Sequence, residues 1–140
     1  MAERREQIEK HGVIFALWDG EKIQLEERKK IGGKFFGYIL VPGGAVEEGE
    51  TLKEALFREV GEEYGVKALS YRKIGVYPNI EDNGILNVRH LYLVTKWKGN
   101  LSNPENTNGH IETSIKEAFE VCKHPLSQIF LKRIQKELSR

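Results

Sequence analysis

The chain has 140 residues, of which 31% are charged and 39% are hydrophobic. Its 22 basic side chains nearly balance its 21 acidic ones, and the net charge of +1 gives no reason to expect a nucleic-acid or membrane partner from bulk electrostatics. A chain of this length is typical of one domain around one core, so we expect a single domain over residues 1–140.

The single cysteine and the absence of a long apolar run bear on the cellular setting. Cys122 has no second cysteine with which to form an internal disulfide, which favours a reducing compartment. The first segment, "MAERREQIEKHG", is charged, and no apolar run reaches the ~20 residues that a membrane span needs. We therefore expect a soluble, cytoplasmic protein without a signal peptide or a membrane anchor.

Five short segments are rich in β-branched and aromatic residues and are bounded by Gly, Asp, Asn or Pro, a pattern that predicts strands. They cover residues 12–18, 21–28, 35–41, 70–78 and 88–97. Asp19 and Gly20 separate the first two segments, and this dipeptide favours a tight hairpin because it tolerates positive φ angles. We therefore expect the first two strands to be antiparallel neighbours.

The segment "TLKE", which begins at Thr51, has the pattern of a capping box at the start of a helix. This helix is expected to end near Tyr64, because Gly65 can adopt the left-handed conformation that closes a helix. Pro125 divides a second helical region, so we expect one helix from residue 115 to about 124 and another over residues 125–138.

Strands before, between and after a helix predict an α/β fold, with a mixed sheet covered by helices on both faces. The connecting segments 79–87 and 99–109 are rich in Asn, Gly and Pro. We expect them to be flexible loops and the parts most suited to contact a ligand.

Carboxylates occupy part of the apolar stripe of the first predicted helix. Leu52, Leu56, Glu59 and Glu63 follow one stripe, and Glu62 lies about 60° away around the same end of the helix. Glu59 and Glu63 form a like-charged i,i+4 pair, which costs a few tenths of a kcal/mol. A divalent cation such as Mg²⁺ or Mn²⁺ would offset this repulsion; the alternative is a solvated acidic helix face.

The helix offers few basic partners for these carboxylates. Arg58 lies four residues from both Glu54 and Glu62, so helix spacing predicts that it ties these two together and points away from the Glu59 stripe. Gly61 inside the helix costs roughly 1 kcal/mol relative to alanine, and the loop before the helix contains "PGG". Neither feature is needed for solubility, and both favour a ligand site.

Residues 44–66 resemble the Nudix box, the sequence signature of the Nudix hydrolases. Gly44, Glu50 and the run "REVGEEYGV" that begins at Arg58 match every fixed position of the box. The resemblance, which is to MutT-like members, implies an α/β/α sandwich with a mixed sheet between helices. It also implies cleavage of the diphosphate linkage in a nucleoside diphosphate derivative, with Mg²⁺ or Mn²⁺ as the cofactor.

The resemblance assigns roles to the residues of the box. The implied metal ligands are the side chains of Glu59, Glu62 and Glu63 and the backbone carbonyl of Gly44. Glu62 is also a candidate for the base that positions water. Glu50 resembles the supporting carboxylate of the family, and Arg58 resembles the residue that orients the glutamates.

A carboxylate outside the box often assists catalysis in this family, and no motif fixes its position. Glu105 and Glu112 are the candidates in this chain, and we favour Glu112 for a fixed role because we expect it to enter a short strand. For each of them an exposed loop glutamate without a catalytic role is an equally good interpretation.

Substrate contacts are expected from the segment that precedes the box. Arg28, beside Lys29 and Lys30, suits a polyphosphate, although a solvated turn explains this cluster equally well. Lys34, Phe36 and Tyr38 are further candidates for binding the nucleotide. Phe35, Phe36 and Tyr38 could stack on a base or could serve packing alone.

The resemblance favours a small-molecule nucleotide substrate, namely a nucleoside triphosphate that is cleaved to the monophosphate and pyrophosphate. An ADP-ribose or nucleotide-sugar pyrophosphatase is the alternative enzyme. A catalytically silent Nudix domain that senses a nucleotide is the alternative of another class. The chain is expected to be a monomer or a homodimer.

Overall fold

A computed structural model describes residues 7–140, so the first six residues of the charged N-terminal segment lie outside the described residues. The strands are β1 (Glu9–Leu17), β2 (Ile23–Glu27), β3 (Ile39–Leu40), β4 (Gly43–Ala45), β5 (Lys67–Ile80), β6 (Leu86–Lys98) and β7 (Gly109–Thr113). The helices are α1 (Leu52–Tyr64), α2 (Ile115–Val121) and α3 (Pro125–Leu138).

The strands form two sheets. The first has the order β4-β1-β6-β5 and is mixed, because β1 runs parallel to β6 while the other neighbours are antiparallel. The second has the order β3-β2-β7 and is antiparallel. The expected α/β fold with a mixed sheet between helices is confirmed, whereas the second sheet was not predicted.

Helices cover both faces of the mixed sheet. Val13 and Phe15 of β1 pack with Leu56 and Val60 of α1 on one face. Ala16, the next residue of β1, faces the opposite side, because successive side chains of a strand alternate. There it joins a second buried cluster that includes residues of β2, α2 and α3. The first helix is therefore fixed against the sheet along its whole apolar side.

The predicted ends of α1 are confirmed. The hydroxyl of Thr51 accepts a hydrogen bond from the backbone N–H of Glu54 (3.1 Å), and the Glu54 carboxylate accepts one from the N–H of Thr51 (3.0 Å). Gly65 closes the helix in the left-handed conformation with φ 69°. The break at Pro125 is also confirmed, although α2 ends at Val121 and His124 caps α3 instead.

The expected hairpin between the first two strands is limited to its turn. The Asp19 carboxylate accepts hydrogen bonds from two backbone N–H groups of the turn (2.7 and 2.8 Å). A single antiparallel bridge joins Trp18 to Ile23. Beyond it the strands separate, because β1 pairs with β4 and β6 whereas β2 pairs with β3 and β7. The prediction that they are neighbours in one sheet was wrong.

The predicted strand over residues 35–41 was also wrong in its first half. Phe35 and Gly37 have positive φ angles of 65° and 82°, so this part of the chain turns. Only Ile39–Leu40 pairs with β2. Conversely, β5 and β6 are longer than expected and reduce the predicted loop 79–87 to the residues around a turn at Gly84. No helix within residues 7–140 is long and apolar enough to cross a membrane.

Candidate functional site

Helix α1 presents its glutamates at the boundary between core and surface. Val60 and Tyr64 of this helix are buried in the core. The side chains of Glu59 and Glu63 are 15% and 17% exposed. Glu62 is more exposed. The apolar stripe of the helix thus leads from the core into a group of partly buried carboxylates, as its spacing predicted.

Arg58 lies at the centre of this group. Its Nε and Nη2 donate to the two carboxylate oxygens of Glu50 (2.7 and 2.9 Å), and Nη2 also donates to the carbonyl of Ala45 (2.8 Å). Its Nη1 donates to Glu59 (2.8 Å) and to Glu62 (3.2 Å). One guanidinium therefore ties the start of the box to two of its helical glutamates.

The predicted partners of Arg58 were right for Glu62 and wrong for Glu54. The carboxylate of Glu54 serves the capping box instead. The prediction that Arg58 points away from the Glu59 stripe was also wrong, because Nη1 of Arg58 donates to Glu59. Arg58 is drawn towards Glu59 because Glu50, in the loop before the helix, holds the guanidinium from that side. A wheel of the helix alone does not include this loop carboxylate.

These contacts change the acidity of the groups. The hydrogen bonds from Arg58 lower the pKa of Glu50 to about 2. In return, the carboxylates of Glu50 and Glu59 raise the pKa of Arg58. Burial raises the pKa of Glu59 and the charges of Glu62 and Glu63 act in the same direction, although Arg58 opposes them. The cluster therefore holds more negative charge than Arg58 alone neutralises.

Gly44 forms the floor of the group. It lies on β4, opposite Val13 of β1, and its backbone is in close contact with the carboxylate of Glu59. A side-chain carbon at this position would lie 2.6 Å from Oε2 of Glu59 and nearer still to Oε1. Only glycine allows the carboxylate to approach the backbone in this way.

The carboxylate oxygens of the box and the carbonyl of Gly44 suit a hard divalent cation. In the structure these carboxylates are paired with Arg58 and His110 instead. Carboxylate and carbonyl oxygens are the ligands that Mg²⁺ prefers. Within residues 7–140, no three His, Cys, Asp or Glu side chains are gathered around one point as metal ligands are. Arg58 holds Glu59 and Glu62, and His110 contacts Glu63 (3.2 Å). A cation would take over these oxygens from their present partners.

Glu26 is a second buried carboxyl group that the sequence analysis did not identify. Its side chain, on β2, is 3% exposed and contacts the carboxylate of Glu63. Burial raises the pKa of Glu26 to about 8, Glu63 acts in the same direction, and Arg28 opposes both. Nε of Arg28 lies 2.8 Å from Oε1 of Glu26, but neither atom has an aligned hydrogen-bond partner.

The pairing of β2 with β7 brings these groups together. Glu26 lies opposite His110 in the register of the two strands, and the His110 ring also contacts that of Tyr64 at 4.5 Å between centroids. The signal in the sequence was the alternation in β2, where Gln24 and Glu26 occupy one face and Ile23 and Leu25 the other. All four of these residues are buried, so the polar face of the strand lies inside the protein.

A pocket of about 320 Å³ adjoins Gly44 and is called the Gly44 pocket below. Its walls include Phe35 and the backbone around Gly44, and Gly44 is also in close contact with the carboxylate of Glu59. Its basic side chains come from several elements and comprise Lys10, His11, Arg28, Arg89 and His124. Of these, the sequence analysis named only Arg28 as a candidate contact.

The other candidates lie at varying distances from the box. Glu112 accepts a hydrogen bond from Gln24 (3.2 Å), and Glu105 is exposed in the loop before β7. Neither has a described contact with a glutamate of the box.

The predicted nucleotide contacts lie on the turn before β3. Lys34 stands over the ring of Phe35 (5.1 Å) and lines a neighbouring depression. Tyr38 packs near Phe35, and Phe36 is half exposed. Of the three aromatic side chains named from the sequence, Phe35 lines the Gly44 pocket, whereas Phe36 and Tyr38 are not among its lining residues.

Comparison with known proteins gives matches over almost the whole chain. Residues 10–138 match the family model described as NUDIX domain. An uncharacterized Nudix hydrolase, orf19, from Rhodococcus erythropolis is 41% identical over 56 residues, which are 39% of this chain and 30% of that protein. The chain thus covers less than a third of the length of this curated relative.

Solved structures share the fold. The MutT NUDIX hydrolase from Burkholderia pseudomallei is 24% identical with a TM-score of 0.75, and the match covers 92% of this chain and 99% of that one. The NUDIX domain of Shewanella oneidensis NrtR, complexed with ADP ribose, is 15% identical with a TM-score of 0.74, covering 96% and 90%. At these identities the likeness concerns the fold alone.

Proposed function

The chain belongs to the Nudix family, and on this premise we propose that it is a pyrophosphohydrolase that cleaves the diphosphate linkage of a nucleoside diphosphate derivative with Mg²⁺ or Mn²⁺. The observation that carries this proposal is the group of partly buried carboxylates around Arg58, with the backbone of Gly44 against Glu59. A solvated acidic helix face does not need Glu59 and Glu63 to be mostly buried.

The cation would be held by Glu59, Glu62 and Glu63 together with the carbonyl of Gly44. When bound, such a cation neutralises charge on the diphosphate and acidifies water for attack on phosphorus. The chain itself fixes the carboxylates, since Arg58 is anchored by two hydrogen bonds to Glu50 and in turn holds Glu59. A ligand group held in advance loses little freedom when the substrate arrives.

For the substrate we propose a nucleoside triphosphate, cleaved to the monophosphate and pyrophosphate. The Gly44 pocket has a volume within the usual range for small-molecule sites. Arg28 and Arg89 can each bind a phosphate oxygen by charge-assisted hydrogen bonds. A chain of three phosphates carries more negative charge than a diphosphate ester, so it suits a pocket with several basic side chains.

Two alternatives remain as competing proposals. An ADP-ribose or nucleotide-sugar pyrophosphatase is supported by the fold shared with the ADP ribose complex of the NrtR domain. A catalytically silent domain that senses a nucleotide would use the same pocket without hydrolysis. The cytoplasmic location, the monomeric or dimeric state and the single domain over residues 1–140 stay predictions from the sequence.

The experiment that tests the proposal is a substrate panel with Mg²⁺. Nucleoside triphosphates, dinucleoside polyphosphates, nucleotide sugars and ADP-ribose are each incubated with the purified chain. Phosphate is then measured after adding inorganic pyrophosphatase in one series and alkaline phosphatase in another. Phosphate from triphosphates in the first series supports the triphosphate proposal, whereas phosphate from ADP-ribose in the second supports the alternative enzyme.

A matched variant separates the enzyme from a contaminant and from a silent domain. Glu59→Gln removes one charge of the group without changing the size of the side chain, so hydrolysis by the chain itself should fall with it. Tight binding of a nucleotide without cleavage by the wild type would favour the sensing domain. Hydrolysis that persists after exhaustive chelation would contradict the cation requirement.

A further inference from the structure

We propose that Glu26 is a further carboxylate ligand of the cation site, acting beside Glu63 from outside the box. The inference rests on the proposed function, because it assigns one more residue to the same cation. It replaces Glu105 and Glu112 as the carboxylate that assists the box. Its basis is the position of Glu26 on β2, opposite His110 of β7, whose ring lies 3.2 Å from the carboxylate of Glu63. The Glu26 side chain is 3% exposed, and its buried Oε1 has no aligned hydrogen-bond partner among the residues that the structure describes.

Two carboxyl groups in contact inside a protein need a shared proton or a cation to offset their mutual repulsion. The Glu26 side chain is 3% exposed and that of Glu63 is 17% exposed, so water screens their repulsion poorly. A buried pair of like charges is unfavourable unless a cation or a proton is shared between the groups. A divalent cation that Glu63 already binds would also draw in the neighbouring carboxylate.

Arg28, the charged neighbour of Glu26, does not form an aligned hydrogen bond with its carboxylate. Nε of Arg28 lies 2.8 Å from Oε1 of Glu26, but the N–H is not aligned with the oxygen. Arg28 is itself 37% exposed and lines the Gly44 pocket. The Arg28 guanidinium can therefore bind a ligand in the pocket instead of Glu26, and the Glu26 carboxylate can then bind a cation.

A purely structural role explains these contacts less well. Glu112, two residues from His110 on β7, forms an ordinary hydrogen bond with Gln24 across the sheet. Gln24 is also buried on the same face of β2, so the neighbouring position on this face holds a neutral amide. Placing a carboxylate at residue 26, against another carboxylate, stabilises the fold no better than an amide would.

The test compares Glu26→Gln with the matched control Glu27→Gln in the full chain. Glutamine keeps the size and hydrogen-bonding capacity of glutamate and removes its charge. Glu27 is the next residue of β2, its side chain points to the other face, and it pairs with Lys29 at 3.3 Å. Mn²⁺ binding is measured by titration calorimetry in the absence of nucleotide, and melting temperatures are measured with and without Mn²⁺.

We expect Glu26→Gln to weaken Mn²⁺ binding by about 10-fold or more and to reduce the rise in melting temperature that Mn²⁺ produces. Without Mn²⁺ this variant should be about as stable as the wild type, because glutamine keeps the size of the side chain and introduces no charge. Glu27→Gln should bind Mn²⁺ as the wild type does. Unchanged Mn²⁺ affinity in Glu26→Gln would overturn the proposal, even if hydrolysis were slower.

Two further results separate this inference from the proposed function. If the wild type binds no Mn²⁺ and hydrolyses nothing, the proposed function and the role of Glu26 are both wrong. If the wild type and Glu26→Gln bind Mn²⁺ equally well, only the role of Glu26 is wrong. Should Glu26→Gln fail to fold, Glu26→Asp serves instead, since it keeps the charge and withdraws the carboxylate from Glu63 by one methylene. Wild-type Mn²⁺ affinity in Glu26→Asp would equally count against the proposal.

Discussion

Replacing Gly44 by alanine should inactivate the protein without unfolding it. The added carbon would lie 2.6 Å from Oε2 of Glu59 and nearer still to Oε1, whereas an ordinary contact is about 3.5 Å, so the carboxylate has to retreat by more than about 1 Å. The clash is with the end of a flexible side chain, and Gly44 does not have a positive φ, so the backbone can accept alanine. A displacement of this size in a catalytic group can lower kcat by about 10²-fold.

The neighbouring glycine provides the control. An alanine at Gly43 would meet the backbone carbonyl of Val13 and the Cα of Ile14, neither of which can move without disturbing β1. Overpacking of this kind typically lowers the free energy of unfolding by about 1–3 kcal/mol. Gly44→Ala should thus lose Mn²⁺ binding and hydrolysis at a nearly unchanged melting temperature, while Gly43→Ala should melt earlier.

The assay combines thermal unfolding, Mn²⁺ titration and the initial rate of phosphate release on the best substrate of the panel. The reasoning is refuted if Gly44→Ala hydrolyses within about threefold of the wild-type rate. It is equally refuted if Gly44→Ala unfolds as readily as Gly43→Ala, because the clash would then involve more than the carboxylate of Glu59.

Three further outcomes are expected. Glu63→Gln should lower kcat by about 10²-fold or more with an unchanged circular dichroism spectrum, and a rate within a few-fold of wild type would contradict its role as a ligand. Because Arg58 lowers the pKa of Glu50 from 4.5 to about 2, the stability that Glu50 contributes is present above pH 4.5 and is lost as the pH falls towards 2. The difference in melting temperature between wild type and Glu50→Gln should therefore shrink over that interval, and a constant difference would argue against the ion pair. Burial raises the pKa of Cys122 to about 11, so the native protein should react with a thiol reagent at pH 8 far more slowly than the unfolded chain; equal rates would place this thiol at the surface.

The box and its helix could be predicted because their information is local. The spacing from Gly44 to Glu63 and the caps at Thr51 and Gly65 involve residues close together in the sequence. Fixed helical geometry then decides which side chains share a face. The contacts of Gly44 with Glu59 and of Ala45 with Arg58 depend in addition on the sheet, since the pairing of β4 with β1 positions these two residues.

The second half of the site depends on strand pairing that the sequence pattern does not encode. Glu26 and His110 meet because β2 pairs with β7, and the two residues are far apart in the chain. Alternation reveals which side chains of a strand share a face, but it does not reveal the neighbouring strand. For the same reason β2 was wrongly predicted to lie beside β1, and Glu26 was not recognised from the sequence.

The hydrogen bonds of Arg58 bear on whether the protein needs a metal ion in order to fold. Structural zinc sites often leave a domain unfolded without their metal, because metal binding supplies much of the free energy of folding. Here one guanidinium already joins Glu50, Glu59 and Glu62, so the chain can fold before any divalent ion arrives. If the proposed function holds, the ion would act as a reversible activator whose concentration sets the fraction of active molecules, while the quantity of folded protein would stay the same.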